Sequence, residues 1–312
     1  MLEPVRPVLQ VSTGGGLVIA GGDALHMLRP GAVRPAMREL PRDAGLAVLA
    51  VEPWAPFRYA LATRGRLQIL SGRDPDVELL ALDFTTPRAE PTHLAWARTD
   101  GESMLYLRGR DSQLRRLQPD RESVEELQAP PLVAIAGDAA GSLATLDVAE
   151  DQDVTLTRDG STERECRPLS MFSTREDDDE FRAVGNGYHL AVSGAAIAYS
   201  IEDLGTFVSW AQGEDFQMCE GLMYGPIAFH GDDALLCAYS VEEKSRVCRQ
   251  TRQGQTTCIY EIATEWKPDV EMKISAIAWD PTRRTLWGAS PGAGLLAAKE
   301  PGPGRTKGLL LS

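Results

Sequence analysis

The sequence contains 312 residues, 45 of them acidic and 32 basic, which gives a formal net charge of −13 at pH 7. Nucleic-acid surfaces and electrostatic membrane anchors both need clustered Lys and Arg side chains, so this charge argues against both kinds of partner. Hydrophobic residues make up 43% of the chain, which is enough to bury a core and argues against global disorder.

Short apolar runs of four to seven residues recur along the whole chain, and clusters of Gly, Pro, Asp or Arg separate them. No amphipathic pattern long enough for a helix of 12 residues interrupts these runs. Regularly spaced short strands with turn residues between them are typical of all-β proteins. The predicted fold class is therefore all-β.

The short apolar runs are themselves grouped into a longer repeat. Units of an apolar strand, a polar turn, a second strand, a glycine turn and a third strand begin near residues 7, 45, 91, 131, 181, 225 and 274. The clearest unit is 274–299, and Trp96 and Phe229 stand in their own units where Trp279 stands in this one. The mean period of about 44 residues is typical of propeller blades, which have up to four strands each.

The chain thus resembles a seven-bladed β-propeller of the WD40-like superfamily over nearly its whole length. The WD dipeptide that closes a typical WD40 repeat is missing, because Trp279 and Asp280 end the first strand of their unit instead of the third. The resemblance therefore identifies no subfamily. It implies a single propeller domain over residues 1–312, with four-stranded blades and a loop insertion at about 170–180.

Individual segments fit this architecture. The runs at 46–51, 132–136 and 274–279 are almost continuously apolar, as expected for inner strands covered on both faces. Asp159 and Gly160 lie between two strand-like runs and predict a two-residue hairpin turn, because both tolerate positive φ. The strand-like ends at 5–11 and 308–311 leave open how the ring closes.

A nucleophile motif, GxSxG, occurs at residues 288–292 but lacks its context. No histidine follows His230 in the sequence, and the residue after Ser290 is Pro291. An oxyanion hole needs the backbone N–H of the residue after the serine, which proline does not have. We interpret the motif as a hairpin turn and predict no catalytic residue there.

Metal-ligating residues are scattered. The four histidines (His26, His93, His189 and His230) form no HxH or HExxH pattern, although His93 and His230 lie in or beside first strands near the expected channel. Of the five cysteines, Cys166 stands apart, and the other four (Cys219, Cys237, Cys248 and Cys258) have no zinc-knuckle spacing and are interpreted as buried strand thiols. We predict no metal and no cofactor.

The compartment follows from the same cysteines and from the N-terminus. An odd number of cysteines without a CxxC pair predicts a reduced, cytoplasmic chain, with one disulfide among the last four left open. The N-terminus has no signal-peptide core, and no run approaches the roughly 18 apolar residues of a membrane span. Abundant Arg and a single asparagine, Asn186, indicate a GC-rich bacterial genome.

An acidic run is the most distinctive local feature, and it falls in the longest gap between units. The candidate recognition residues are Arg175, Glu176, Asp177, Asp178, Asp179 and Glu180. Adjacent carboxylates repel one another, so a solvated loop is one interpretation. The functional interpretation is a recognition loop for a basic partner surface or a processing protease.

A local basic stretch contrasts with the acidic chain. Arg108, Arg110, Arg115, Arg116 and Arg121 fall within one hairpin region of the third unit. A charged outer strand explains them, and an electrostatic contact with an acidic partner is the alternative.

The sequence favours a non-enzymatic interaction scaffold. A rigid propeller needs no fixed chemistry to bind proteins through its faces and loops. By analogy with small bacterial propellers, we expect a regulatory subunit of a multi-protein regulatory or defence system, monomeric on its own, that binds one or more proteins. The alternative is a metal-dependent hydrolase or lactonase with its site at the central channel. First-strand segments hold few carboxylates, and Asn186 lies in a predicted turn, so the scaffold is preferred.

Overall fold

A computed structural model describes residues 8–11, 17–21, 24–28, 36–39, 48–54, 57–74, 76–148, 154–166, 188–201, 205–220, 222, 224–241, 244–263, 274–290, 294–299 and 309–310. Within these ranges the chain forms seven four-stranded antiparallel sheets. The helical segments among them are two 3₁₀ turns, Pro87–Ala89 and Pro119–Arg121.

The sheets are numbered blades 1 to 7 in chain order. Blade 1 holds β1 (Val8–Val11), β2 (Leu17–Gly21), β3 (Ala24–Leu28) and β4 (Ala36–Glu39). Blade 2 holds β5 (Val48–Val51), β6 (Tyr59–Thr63), β7 (Arg66–Leu70) and β8 (Glu78–Asp83). Blade 3 holds β9 (Pro91–Thr99), β10 (Glu102–Gly109), β11 (Leu114–Gln118) and β12 (Ser123–Glu126). Blade 4 holds β13 (Leu132–Gly137), β14 (Leu143–Val148), β15 (Val154–Arg158) and β16 (Ser161–Cys166).

The remaining blades follow the same order. Blade 5 holds β17 (Tyr188–Ser193), β18 (Ala196–Ile201), β19 (Gly205–Ser209) and β20 (Gln217–Met218). Blade 6 holds β21 (Ile227–Phe229), β22 (Ala234–Val241), β23 (Lys244–Thr251) and β24 (Thr256–Ala263). Blade 7 holds β25 (Ala276–Asp280), β26 (Thr285–Ser290), β27 (Gly294–Lys299) and β28 (Leu309–Leu310).

The blades are arranged in a ring. The first strand of each blade contacts the first strand of the next, from β1 through β5, β9, β13, β17 and β21 to β25, and β25 contacts β1. These first strands begin at residues 8, 48, 91, 132, 188, 227 and 276, beside the unit starts predicted from the repeat. The predicted all-β propeller is confirmed.

The predicted hairpin turn at Asp159 and Gly160 is also present. It joins β15 to β16, and its two residues have φ of 48° and 80°. Positive φ at both central positions defines the type I′ turn, which matches the twist of the flanking strands. The Asp-Gly pair therefore specifies this connection locally.

Apolar side chains fill every interface between neighbouring blades. Seven clusters of buried side chains are described, one for each adjacent pair including blades 7 and 1. At the interface of blades 2 and 3, for example, Trp96 is buried, and its Nε1 donates to the carbonyl oxygen of Ala50 at 3.2 Å. A sheet blade cannot bury both faces by itself, so these clusters stabilise the ring.

The described parts of blades 1 and 7 share no strand. The strand β1 pairs within blade 1 and β28 pairs within blade 7, and side-chain packing joins the two blades there. At this junction the buried Trp287 and Ala289 of blade 7 pack with Leu28 of blade 1. The Nε1 of Trp287 is buried and has no hydrogen-bond partner among the described residues. Trp287 therefore stabilises this junction mainly through the packing of its ring.

Replacing Trp287 with Ala should weaken ring closure. The truncation leaves a large cavity at the junction, so we expect a loss of about 3–5 kcal/mol in the free energy of unfolding. Trp287→Phe should cost less, because it keeps a ring and removes an unpaired N–H donor. Urea unfolding followed by far-UV circular dichroism measures both.

Val124→Ala is the matched control, because Val124 lies on the outer strand of blade 3 and is 48% exposed. It should change the free energy by no more than about 0.5 kcal/mol. A Trp287→Ala protein as stable as this control would contradict closure by packing.

Candidate functional site

The ends of the first strands surround a central channel with a cavity of about 420 Å³. Six neighbouring blades each contribute alanine to its lining: Ala50, Ala95, Ala136, Ala139, Ala191, Ala228 and Ala278, two of them from blade 4. Most other lining residues are also small or apolar. Such a wall offers shape and apolar contact but few groups for acid–base chemistry.

The histidines occupy separate environments. His26 lies in β3 and His93 near the start of β9, whereas His230 follows β21 with its ring centroid 4.0 Å from that of Trp279. His189 lies in β17, with its ring centroid 5.4 Å from that of Tyr224. In the described part of the chain, no three His, Cys, Asp or Glu side chains are grouped to hold a metal ion.

Arg108 ties blade 3 to blade 4 beside His93. Its side chain is fully buried, and it donates to the Leu132 carbonyl at 2.7 Å, to Thr92 Oγ1 at 2.7 Å and to Ser112 Oγ at 2.9 Å. Burial lowers the pKa of Arg108 to about 10, which leaves it charged at neutral pH. Arg108 therefore lies in the core, contrary to the interpretation of the basic stretch as an outer strand.

The other arginines of the stretch pair with carboxylates of the same blade or its flanking turns. The ion pairs are Arg110–Glu90, Arg115–Asp111, Arg115–Glu126, Arg116–Glu125 and Arg121–Glu102. Internal carboxylates thus neutralise much of this basic stretch. An acidic partner would have to compete with them.

Buried carboxylates follow the first strands of three blades. Glu52 directly follows β5 and Asp280 is the last residue of β25, and both are fully buried, while Asp138 follows β13 and is 4% exposed. In blade 7 Asp280 accepts hydrogen bonds from the backbone N–H of Arg283 and from its Nη1, the latter at 2.7 Å. The turn thus supplies its own counter-charge.

Blade 2 uses the same arrangement with more partners. Arg58 Nε donates to Glu52 Oε2 and Arg58 Nη2 to Glu52 Oε1, both at 3.0 Å, and Ser103 of blade 3 donates to Glu52 as well. Arg58 also lies over the ring of Trp96 at 5.1 Å. Burial alone would lower the pKa of Arg58, but Glu52 and Asp120 together raise it. This network links blades 2 and 3.

Asp138 of blade 4 differs from these two. Its Oδ1 accepts the backbone N–H groups of Gly141 at 2.8 Å and Ser142 at 2.9 Å. Its buried Oδ2 has no hydrogen-bond partner among the described residues. Blade 4 thus carries a buried acid without the turn arginine present in blades 2 and 7.

A groove of about 760 Å³ separates the outer parts of blades 3 and 4. Its floor is apolar and belongs to the cluster between the two blades: Ala97, Tyr106, Leu114, Leu132 and Leu143. The linker 127–130, which joins the blades, forms one side. This blade 3/4 groove is the candidate binding site.

The groove exists because one wall of it is polar. In β14 and β15, Ala144, Leu146, Val154 and Leu156 pack against blade 5. The alternate residues Thr145, Asp147, Thr155 and Thr157 line the groove toward blade 3. Side chains alternate between the faces of a strand, so this sequence gives blade 4 one apolar and one half-polar face. Polar groups resist burial against apolar neighbours, and the outer halves of the blades stay apart.

The charge of the groove is negative. Asp100, Asp147 and Asp159 line it, and Arg98 is the basic residue among its lining residues. The guanidinium of Arg98 lies over the ring of Trp54 in blade 2 at 4.5 Å. Its charge is therefore directed toward blade 2, and the described lining of the groove holds more acidic than basic side chains.

The remaining predicted residues have mixed outcomes. Arg175, Glu176, Asp177, Asp178, Asp179 and Glu180 lie outside the described residues. Cys219, Cys237 and Cys248 are buried and free, and burial raises the pKa of Cys219 and of Cys237 to about 12. Cys258 is free but exposed, so the interpretation as a buried thiol is wrong there. Its strand β24 is the outer strand of blade 6, with one open edge.

The sequence analysis missed the groove. The groove could have been predicted from the alternation of apolar and polar residues in 143–148 and 154–158. The second strands of the other blades are, by contrast, almost continuously apolar. A strict alternation predicts one face that is not packed in the core. The groove's other wall comes from a different blade and is not visible in that pattern.

Comparison with solved structures identifies the fold. The chain resembles a chain of the mitotic checkpoint complex, with 12% identity and a TM-score of 0.65, covering 94% of this chain and 86% of that one. It also resembles the RRP9 WD40 repeats, with 12% identity, a TM-score of 0.61 and coverage of 92% and 88%. A third similar structure is the β-propeller domain of Myceliophteria thermophila Cps50 (Swd1), with 12% identity and a TM-score of 0.63. This match covers 93% of this chain and 95% of that one.

These similarities support a β-propeller fold. No family model matches the sequence, and a search of curated proteins finds no match. No helix in the described ranges has the length and apolar character that crossing a bilayer requires.

The environment of His93 predicts a pH-dependent stability. Burial, with the nearby charges of Arg108 and then His189, lowers the pKa of His93 to about 3 from an ordinary 6.5. Below pH 6.5 the unfolded chain binds a proton here that the folded chain does not, so stability falls as the pH decreases from 6.5 toward 3.

His93→Gln removes this contribution. Relative to the variant, the unmodified protein should lose up to about 1.4 kcal/mol of unfolding free energy per pH unit in that window. Urea unfolding at pH 7, 6, 5 and 4 measures the difference. Parallel pH profiles, or an NMR titration of His93 with a midpoint near 6.5, would contradict the assignment.

Proposed function

We propose that this chain is a non-enzymatic interaction scaffold that binds partner proteins through its blade 3/4 groove and its loops. The observation that carries the proposal is the groove itself. At blades 3 and 4 an apolar floor stays open beside a wall of hydroxyls and carboxylates, instead of being covered by the neighbouring blade. An apolar floor with a few placed polar groups is the usual composition of a binding site.

The resemblance to propellers found in assemblies supports the same role. One of the solved structures it resembles is a chain of the mitotic checkpoint complex, which is a multi-protein assembly. The channel cavity is lined mostly by small or apolar residues, and Asp138 is the one carboxylate among its described lining residues, so the alternative, a metal-dependent hydrolase or lactonase, has less support.

The finer proposal concerns the setting. We infer a single seven-bladed domain that is cytoplasmic, monomeric on its own and free of cofactor, and that serves a bacterial regulatory or defence system. The GC-rich composition and the reduced cysteines support it. The acidic charge makes proteins, rather than nucleic acid or membrane, the expected partners.

Affinity purification from the native host tests the proposal. The tagged chain should recover at least one partner in stoichiometric amount, and the complex should re-form from purified components by size-exclusion chromatography with light scattering. A chain that stays alone and hydrolyses a lactone or an ester would contradict the scaffold function.

The acidic run contributes a second contact in this proposal. The five adjacent carboxylates of Glu176, Asp177, Asp178, Asp179 and Glu180, next to Arg175, suit a basic partner surface or a processing protease. Deleting residues 174–180 should weaken partner binding at low salt most strongly, because salt screens such contacts.

A Gly/Ser linker of the same length is the matched control for the deletion, since it removes the charges and keeps the connection. It should weaken binding as much as the deletion does. Unchanged partner affinity and an unchanged proteolysis pattern in both variants would remove this role from the acidic run.

A further inference from the structure

We infer that the blade 3/4 groove binds an extended segment of a partner protein that alternates apolar and basic residues. This inference rests on the proposed scaffold function and names the chemistry of the partner. It follows from the shape, the hydrogen-bonding groups and the charge of the groove, each of which narrows the choice of occupant.

The shape of the groove favours an elongated occupant. The groove of about 760 Å³ shares the linker 127–130 with a second, more open recess of about 600 Å³, which Gln113 and Glu126 also line. The linker is fixed in place, because the Leu127 N–H donates to the Leu114 carbonyl at 2.9 Å and extends the pairing of β12. An occupant following the linker contacts both recesses, which suits an extended chain.

The polar wall can hydrogen-bond a peptide backbone. Thr145 lies directly opposite Thr157, and Asp147 directly opposite Thr155, so three hydroxyls and a carboxylate form one patch on β14 and β15. A hydroxyl both donates and accepts, so this patch can pair with both N–H and C=O groups. Across the groove, the Tyr106 hydroxyl is held by Thr99 Oγ1 at 2.7 Å.

The charge selects a basic occupant. Asp100, Asp147 and Asp159 line the groove, and Asp159 Oδ1 accepts the backbone N–H of Leu143 at 2.8 Å. The guanidinium of Arg98 is engaged with Trp54. Lys or Arg side chains of an occupant complement the three carboxylates, whereas an acidic segment would be repelled.

The two walls together specify alternation. An extended chain turns successive side chains to opposite sides. One side can cover the apolar floor at Ala97, Leu114 and Leu143 while the other meets the carboxylates. A uniformly basic segment would leave the floor uncovered, and a uniformly apolar one would offer no positive charge to the acidic side of the groove.

Three labelled eight-residue peptides test this with the full chain: alternating Arg and Leu, alternating Glu and Leu, and alternating Arg and Ser. Fluorescence anisotropy should show the Arg-Leu peptide binding at least tenfold tighter than the other two, with an affinity that falls as salt increases. Two results would overturn the inference. One is equal binding of the Arg-Leu and Arg-Ser peptides. The other is that spermidine displaces the labelled Arg-Leu peptide as effectively as unlabelled Arg-Leu peptide does at the same concentration of positive charge.

The groove variant removes the three carboxylates by isosteric substitution: Asp100→Asn, Asp147→Asn and Asp159→Asn. Asn tolerates the positive φ of Asp100 and Asp159, so both turns should fold. This variant should bind the Arg-Leu peptide at least tenfold more weakly than the unmodified chain.

The matched control removes the same charge elsewhere with Asp74→Asn, Asp76→Asn and Asp232→Asn, all exposed residues of blades 2 and 6. Its affinity should stay within twofold of the unmodified chain. Equal losses in both triple variants would mean that the peptide responds only to net charge and would overturn the site.

A steric variant tests the location without changing charge. Thr157→Phe places a ring over the floor and should also lower the affinity at least tenfold, with circular dichroism confirming the fold. Unchanged binding would overturn the inference.

A partner recovered from the host separates the two proposals. If the groove variant binds that partner as tightly as the unmodified chain, the groove inference fails and the scaffold function stands. If the unmodified chain recovers no partner at all, the scaffold function fails.

Discussion

The structure depends on one constraint, that each four-stranded sheet must bury both of its faces against neighbours. Seven apolar clusters meet this requirement, one for each adjacent pair of blades. Among the described residues β1 pairs within blade 1 and β28 within blade 7, so the last of these clusters joins the two blades by side-chain packing. The packing of the side chains around Trp287 therefore contributes to closing the ring.

Blades 3 and 4 satisfy the constraint only in part. Near the channel, Ala95 and Ile135 pack as at any other interface. Farther out, the polar residues of β14 and β15 keep the blades apart and leave apolar surface exposed. Covering that surface would yield hydrophobic stabilisation, so leaving it open costs stability. A partner that covers it recovers this free energy as binding affinity. At this interface the side chains near the channel stabilise the fold, and the groove farther from the channel is the surface proposed for recognition.

The sequence predicted the features that are local in the chain. The runs at 132–136 and 274–279 and the turn at Asp159 and Gly160 could be read directly, because burial on both faces and positive φ leave a signature within a few residues. The groove, the core position of Arg108 and the exposure of Cys258 could not. Each depends on which blade or edge a residue faces. Arg108 looked like a member of a charged strand because its partners, Thr92 and the Leu132 carbonyl, are supplied by other strands.

The buried carboxylates that follow or end the first strands also distinguish blade 4 from blades 2 and 7. Glu52 and Asp280 each obtain an arginine from their own turn, so each is a paired charge that links or rigidifies its blade. Asp138 receives only backbone N–H groups, and its second oxygen is buried without a partner among the described residues. A buried acceptor of this kind costs roughly 1–3 kcal/mol. Packing on both sides of blade 4 offsets that cost, because Leu146 and Leu156 pack on blade 5 and Leu132 and Leu143 pack on blade 3. The polar residues of β14 and β15 on the side of blade 3 are the part of blade 4 that lines the groove, and they are the part proposed for recognition.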